Sequence, residues 1–188
     1  MTAMTDPSTN PTLALLRGIR NDRAFDQAPV DQGDLDAVLD VARRTGSAMN
    51  AQPWEFVVVR DREQIAAIAG TGPNLGWVAA APLVIAIVMA GERAETERFD
   101  EGRLAERMMV AADALGLAAG LGWFFGAAGM AAGRQVLGVS ERKTVRTIVA
   151  IGHPGGAAPK PPAVMLHRPT ADRKPLADLV HFDRYGTR

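Results

Sequence analysis

Seven consecutive apolar residues, Leu83–Met89 (LVIAIVM), constrain the fold more than any other stretch of the chain. Strand side chains alternate between the two faces of a sheet, so a run with no polar position offers no face to water. It is expected as a strand covered on both sides. With 188 residues the chain has the length of one ordinary domain, so the covering layers have to come from helices close by in the same sequence.

Those helices are legible on both sides of the run. Residues 31–44 read as a helix: Asp31 is placed to cap it, Val30 and Leu35 form a hydrophobic staple, Leu35, Val38, Leu39 and Ala42 make one apolar stripe, and Gly46 stops it. Residues 13–20 suit a short helix ahead of a basic turn. Residues 54–60 (WEFVVVR) are β-branched and aromatic, as a strand requires, and Asp61 is placed to cap a short helix through Ala69. A helical pattern spans residues 97–119, with Leu104, Met108, Ala111, Leu115 and Ala118 on one side. Residues 121–125 and 144–151 read as further strands, the second ended by Gly152, His153 and Pro154. Interleaved helices and strands predict an α/β or α+β fold with helices packed on a central sheet. The long helix, with its small and Met side chains, also suits a subunit interface.

Composition removes several classes of function. Apolar residues make up 47% and charged residues 22%, as in ordinary globular chains, and 21 basic residues balance 21 acidic ones. That balance gives no electrostatic case for nucleic acid or an anionic membrane as partner. There is no cysteine, which excludes disulfides, thiolate catalysis and Cys-ligated metal centres. Residues 64–91 and 114–133 carry no charge, but prolines, glycines and amides break the first, and the second reads as a helix end, a turn and a short strand. Neither is expected to span a membrane. Residues 1–12 read as a flexible leader without a secretory pattern, and the cytoplasm is the expected compartment. His153, His167 and His181 are too dispersed for a metal motif, and neither a dinucleotide glycine pattern, a P-loop nor a G-x-S-x-G elbow is present, so no metal site is expected. Trp54, Trp77 and Trp123 are expected to pack, with Trp123 or Phe124 able to border a pocket.

Two segments could carry chemistry. Arg20, Asn21, Asp22 and Arg23 place two guanidinium forks beside a small amide, a set that can converge on a phosphate; paired arginines on a turn are also commonly solvated. Ser47, Asn50 and Gln52, spread over the loop before Pro53 and Trp54, offer a hydroxyl and two carboxamides. Each can donate and accept, as reading the pyrimidine edge of a flavin requires, and an ordinary polar turn would look the same.

Taken together, the R-x-x-R-x-F turn at Arg20 and S-A-x-N-x-Q-P-W-E-F-V-V-V at Ser47 resemble the nitroreductase family. Asp100 ahead of the long helix, the A-x-x-L-G-L end at residues 112–117, Leu121 to Gly126, Leu137 to Val139, the IVAIGHP exit at residues 148–154 and RKPLADLV from Arg173 follow in the family's order, so the resemblance runs from about residue 13 to 182. It implies an α+β fold, a three-layer α/β/α sandwich forming an intertwined homodimer with FMN at the interface, and residues 183–188 as a terminal extension. It also implies that Arg20, Asn21, Arg23 and Arg173 bind the FMN phosphate and ribityl chain. Ser47, Asn50 and Gln52 would touch flavin, partly the flavin held by the partner, and backbone near Phe125 and Gly126 would lie at its reactive edge.

The family's basic turn usually reads R-R-S-x-R, whereas Ile19 and Asn21 stand at the first Arg and the Ser; weaker phosphate binding, or Arg17 as substitute, would follow. Gly46 stands where a proline is common, leaving that loop less rigid. The chain is also short, so the extra helices that roof the active site in larger members are expected to be missing. The implied activity is ping-pong hydride transfer from NAD(P)H through the flavin to an electron-poor acceptor such as a nitroaromatic or quinone, with no side chain as acid or base. The alternatives are a flavin oxidase or dehydrogenase of a specialised metabolite, and a non-catalytic flavin-binding member.

Overall fold

A computed structural model describes residues 9–155 and 173–187. Four strands, β1 (Trp54–Val59), β2 (Leu83–Met89), β3 (Ala118–Trp123) and β4 (Thr144–Gly152), form one sheet in the order β1-β2-β4-β3, with every neighbouring pair antiparallel. The helices are α1 (Pro11–Gly18), α2 (Gln32–Arg43), α3 (Arg62–Ala69), α4 (Ala94–Ala114) and α5 (Gly126–Leu137).

The apolar run at β2 does what its composition demands. All seven residues are buried. Leu83, Ile85, Ile87 and Met89 pack into a core with Leu35, Val38 and Ala42 of α2 and Leu104 and Met108 of α4. Val84, Ala86 and Val88 point the other way, into a core with Ile65 and Ile68 of α3, Trp77 and Phe124. Helices therefore cover both faces, giving the three-layer α+β sandwich.

Several boundaries differ from those expected, each for a local reason. Helix α1 starts at Pro11, inside the expected leader, because Asn10 accepts from Leu13 N and proline suits the first helical position. Asp31 sits at the N-cap of α2 without a side-chain capping bond, whereas Asp61 does cap α3 through Gln64 N. Helix α2 ends at Arg43, before Gly46, which is not in a left-handed conformation. Helix α4 stops at Ala114, five residues short of Ala119, through a Schellman motif: Gly116 (φ 75°) donates to Asp113 O and Leu117 to Ala112 O. The released residues Ala118 to Leu121 join the sheet. Helix α5 occupies a glycine-rich stretch expected as turn and strand. Its Gly133 admits the fully buried Phe124 ring, which a Cβ would approach to 2.7 Å. Phe124 is thus core, and Trp123, expected to pack, is 58% exposed.

Among the described residues no helix is long and apolar enough to cross a membrane, and no group of side chains could hold a metal ion. The Pro/Gly/Ala-rich stretch from residue 156, His167 and the first eight residues of the leader lie outside the described residues.

Candidate functional site

The basic segment lies along the outer edge of β3. Asp22 N donates to Ala119 O at 2.8 Å, Leu121 N donates to the Asn21 side-chain oxygen at 2.6 Å, and Phe25 bridges Pro154. Gly120 makes the approach possible: a Cβ there would stand 2.0 Å from Asp22 O and 2.9 Å from the Trp77 ring. Asn21 therefore spends its carbonyl oxygen on the sheet, which leaves its amide nitrogen, the half an anion requires. The Arg23 guanidinium sits 5.5 Å from the centre of the Trp77 ring, a cation–π distance, and Arg20 is exposed.

The amide loop belongs to the other edge, where it enters β1. Its backbone is unusual. Met49 (φ 52°), Asn50 (φ 54°) and Gln52 (φ 48°) are all left-handed, three of the four such non-glycine residues among those described. Each costs on the order of 1 kcal/mol or more and persists only where surroundings hold it. Ser47 helps to hold it: its Oγ accepts from Gln52 N at 2.9 Å, and its backbone oxygen accepts from Asn50 N at 3.0 Å. Ser47 thus shapes the loop, while Asn50 and Gln52 are exposed on it.

Phe125 and Gly126 follow β3. Phe125 is 82% exposed, Gly126 adopts φ 69°, and no side chain caps α5, so its first backbone N–H groups lack a capping acceptor. The strand registers put Trp123 near the Thr144 end of β4, and Thr144 opposite Met89, which is opposite Trp54. Phe125 and the amide loop therefore share one end of the sheet, on opposite edges, three inter-strand spacings or roughly 14 Å apart. One chain does not bring the three segments into contact. The cleft beside Trp123 and Phe125 has a volume of about 260 Å³, small for a cofactor, and the cleft of about 440 Å³ that includes Gln52 lies by β1. Arg173 is exposed in the described C-terminal stretch.

Sequence reasoning overlooked a row of buried carboxylates on α4. Glu97, Asp100 and Glu101 are at most 5% exposed. Their i, i+3, i+4 spacing, continuing the stripe of Leu104 and Met108, was the available signal. Glu97 accepts from Gly91 N, Glu92 N and Arg93 N, each at 2.9 Å, and so closes the turn before its own helix. Glu101 pairs with Arg146 at 3.0 Å. Burial pushes its carboxyl above the ordinary glutamate range, with Thr147 and Arg146 pulling the other way.

Comparison with known proteins agrees with this architecture. The Nitroreductase family model matches residues 16–71. A protein of Archaeoglobus fulgidus, provisionally named NADH dehydrogenase/NAD(P)H nitroreductase, is 28% identical over 72% of this chain and 80% of its own length. A similarly named protein from Bacteroides thetaiotaomicron shares the fold with a TM-score of 0.80, at 21% identity, over 94% of this chain and 99% of that one. An FMN-dependent nitroreductase of Clostridium difficile does so with a TM-score of 0.77, at 22% identity, over 91% and 98%.

Proposed function

We propose that the chain is a nitroreductase-family protein, an FMN-dependent NAD(P)H oxidoreductase whose site is completed between two copies of the chain. The observation that carries this reading is the arrangement just described: a cationic segment and an amide loop, each suited to one part of FMN, lie on opposite edges of the sheet with β2 and β4 between them. A second copy, packed so that its β1 edge faces the first copy's β3 edge, would unite them twice over by two-fold symmetry.

The residues present fit the cofactor. Arg20, Arg23 and the Asn21 amide offer donors of the kind a phosphate takes, and Arg173 would add a fourth. Asn50 and Gln52 of the partner offer carboxamides to the pyrimidine edge, on a loop already shaped by Ser47. The first N–H groups of α5, behind Phe125 and Gly126, suit an electron-rich ring edge. Bound FMN would supply the redox chemistry, accepting a hydride from NAD(P)H and passing reducing equivalents to an electron-poor acceptor of the nitroaromatic or quinone class. The protein orients and shields. Trp123 and Phe125 give apolar walls that keep water from the ring while one face stays open.

Exposed apolar residues support the dimer. Helix α1 buries none of its residues, and Phe99, Leu176, Leu179 and Phe182 are each more than half exposed. With Trp123 and Phe125 they are apolar surface that a second copy of the chain would cover. Reconstitution with FMN tests the proposal. The protein should take up one flavin per chain and run as a dimer by light scattering. Arg23→Ala should weaken FMN about tenfold or more while melting close to wild type. A colourless protein after reconstitution, or a flavin-loaded monomer, would overturn it.

A further inference from the structure

Three side chains on one face of α4 reach three backbone groups of the turn between α2 and the amide loop. Arg107 Nη1 donates to Arg44 O at 3.3 Å, Arg103 Nη1 donates to Gly46 O at 2.7 Å, and the Asp100 carboxylate accepts from Ala48 N at 3.3 Å. The three side chains follow one another at steps of three and four residues along α4, about 4.5 and 6 Å apart on one face of the helix. These rungs also support one another: Arg103 Nη1 lies 3.6 Å from the Asp100 carboxylate, which is almost wholly buried, and the Arg103 guanidinium lies 5.6 Å from the centre of the Phe99 ring. Gly46 is part of the device. A Cβ there would stand 2.9 Å from Arg103 Nη2 and push the guanidinium from its seat.

We propose that Asp100 and Arg103 are positioning residues that fix residues 46–48 and so hold the left-handed backbone of Met49, Asn50 and Gln52 in a form ready for flavin. The inference rests on the FMN reading above. Left-handed non-glycine residues revert to commoner conformations unless they are over-determined. The loop's backbone N–H groups at Asn50, Ala51 and Gln52 bond to Ser47 or Ala48, and Gln52 Nε2 donates to Asn50 O at 3.4 Å; these bonds are local, so they fix the loop against the rest of the fold only if Ser47 and Ala48 are themselves anchored. Asp100 anchors Ala48, and Arg103 anchors the residue before Ser47. Gly46 lends no stiffness of its own, so the guanidinium that its missing Cβ admits supplies the rigidity instead. A loop fixed beforehand does not have to be ordered when the ligand arrives, and the gain appears as affinity.

The test measures FMN affinity by fluorescence titration, the visible band of the bound flavin, and amide hydrogen exchange at residues 48–52 in the flavin-free protein. Arg103→Ala should weaken FMN about tenfold, shift the flavin band and speed exchange in the loop. Arg103→Lys, which keeps the charge and loses the fork, should restore only part. Gly46→Ala should resemble Arg103→Ala, and the double variant should be no worse than Arg103→Ala alone, because the added methyl acts only by displacing that guanidinium. Asp100→Asn should behave in the same direction; should it fail to fold, the Arg103 and Gly46 variants still decide. Wild-type affinity, band and exchange in Arg103→Ala, or additive effects in the double variant, overturn the positioning role while leaving the flavin reading intact. A wild-type protein that takes up no FMN overturns the flavin reading and this inference with it, whatever the exchange data.

Discussion

The two edges of the sheet reach comparable ends by different means. At the β3 edge the basic segment is held mainly through the main chain: Asp22 N on Ala119 O, the Phe25–Pro154 bridge, and a glycine that lets two backbones meet. At the β1 edge the amide loop is held by side chains reaching across from α4. Backbone docking is indifferent to most substitutions and intolerant of a few. Side-chain docking is graded, and each rung can be removed singly. The cationic edge is therefore expected to be stable or lost, and the amide edge to be tunable.

The largest effect should come from Gly120→Ala. Its Cβ would fall 2.0 Å from a backbone oxygen that cannot step aside, so a loss of about 3 kcal/mol in denaturant unfolding is expected, together with FMN binding. A variant as stable as wild type would break the contrast between the edges.

An intermediate effect concerns pH, and tests whether α4 carries strain beneath the loop it anchors. Glu101 keeps its proton to higher pH in the folded protein than its ordinary value of 4.5. As pH rises past that value the unfolded chain ionises first, so stability falls until the raised folded value is passed, by at most about 1.4 kcal/mol per pH unit. Relative to Glu101→Gln, the wild type should lose ground as pH climbs from 4.5, read from urea midpoints. A gap that does not change with pH would remove the burial argument.

The smallest stability effect should be that of Gly46→Ala, within about 0.5 kcal/mol, because its Cβ meets only the tip of the Arg103 side chain. A large loss would mean that this edge too depends on the main chain.

Much of this could be read from the sequence where the signal was local. The run at β2 fell within its own boundaries, and the strands expected at 54–60 and 144–151 each ended one residue from those observed. Local signals failed where tertiary packing overrides propensity. Alanine and leucine carry a helical period past Gly116, yet that glycine ends α4. Glycines count against α5, yet Gly133 is there to seat Phe124. At the candidate site, residue type points Asn21 and Ser47 toward a ligand; what it does not reveal is that the carbonyl of the first accepts from Leu121 N and the hydroxyl oxygen of the second from Gln52 N, so each also holds the fold. The rungs from Asp100, Arg103 and Arg107 join residues more than fifty apart, a pairing that no local pattern encodes.

The central claim, one flavin site built from opposite edges of two subunits, is tested most directly by complementation. One chain carries Arg20→Ala and Arg23→Ala; the other carries Asn50→Gly and Gln52→Gly, which remove the amides yet suit the left-handed backbone. Neither homodimer should retain FMN. The mixed dimer, isolated through two affinity tags, pairs the wild-type cationic edge of one chain with the wild-type amide edge of the other, and should bind one FMN per dimer. A mixed dimer as empty as its parents would place both edges of a site in one chain and contradict the account.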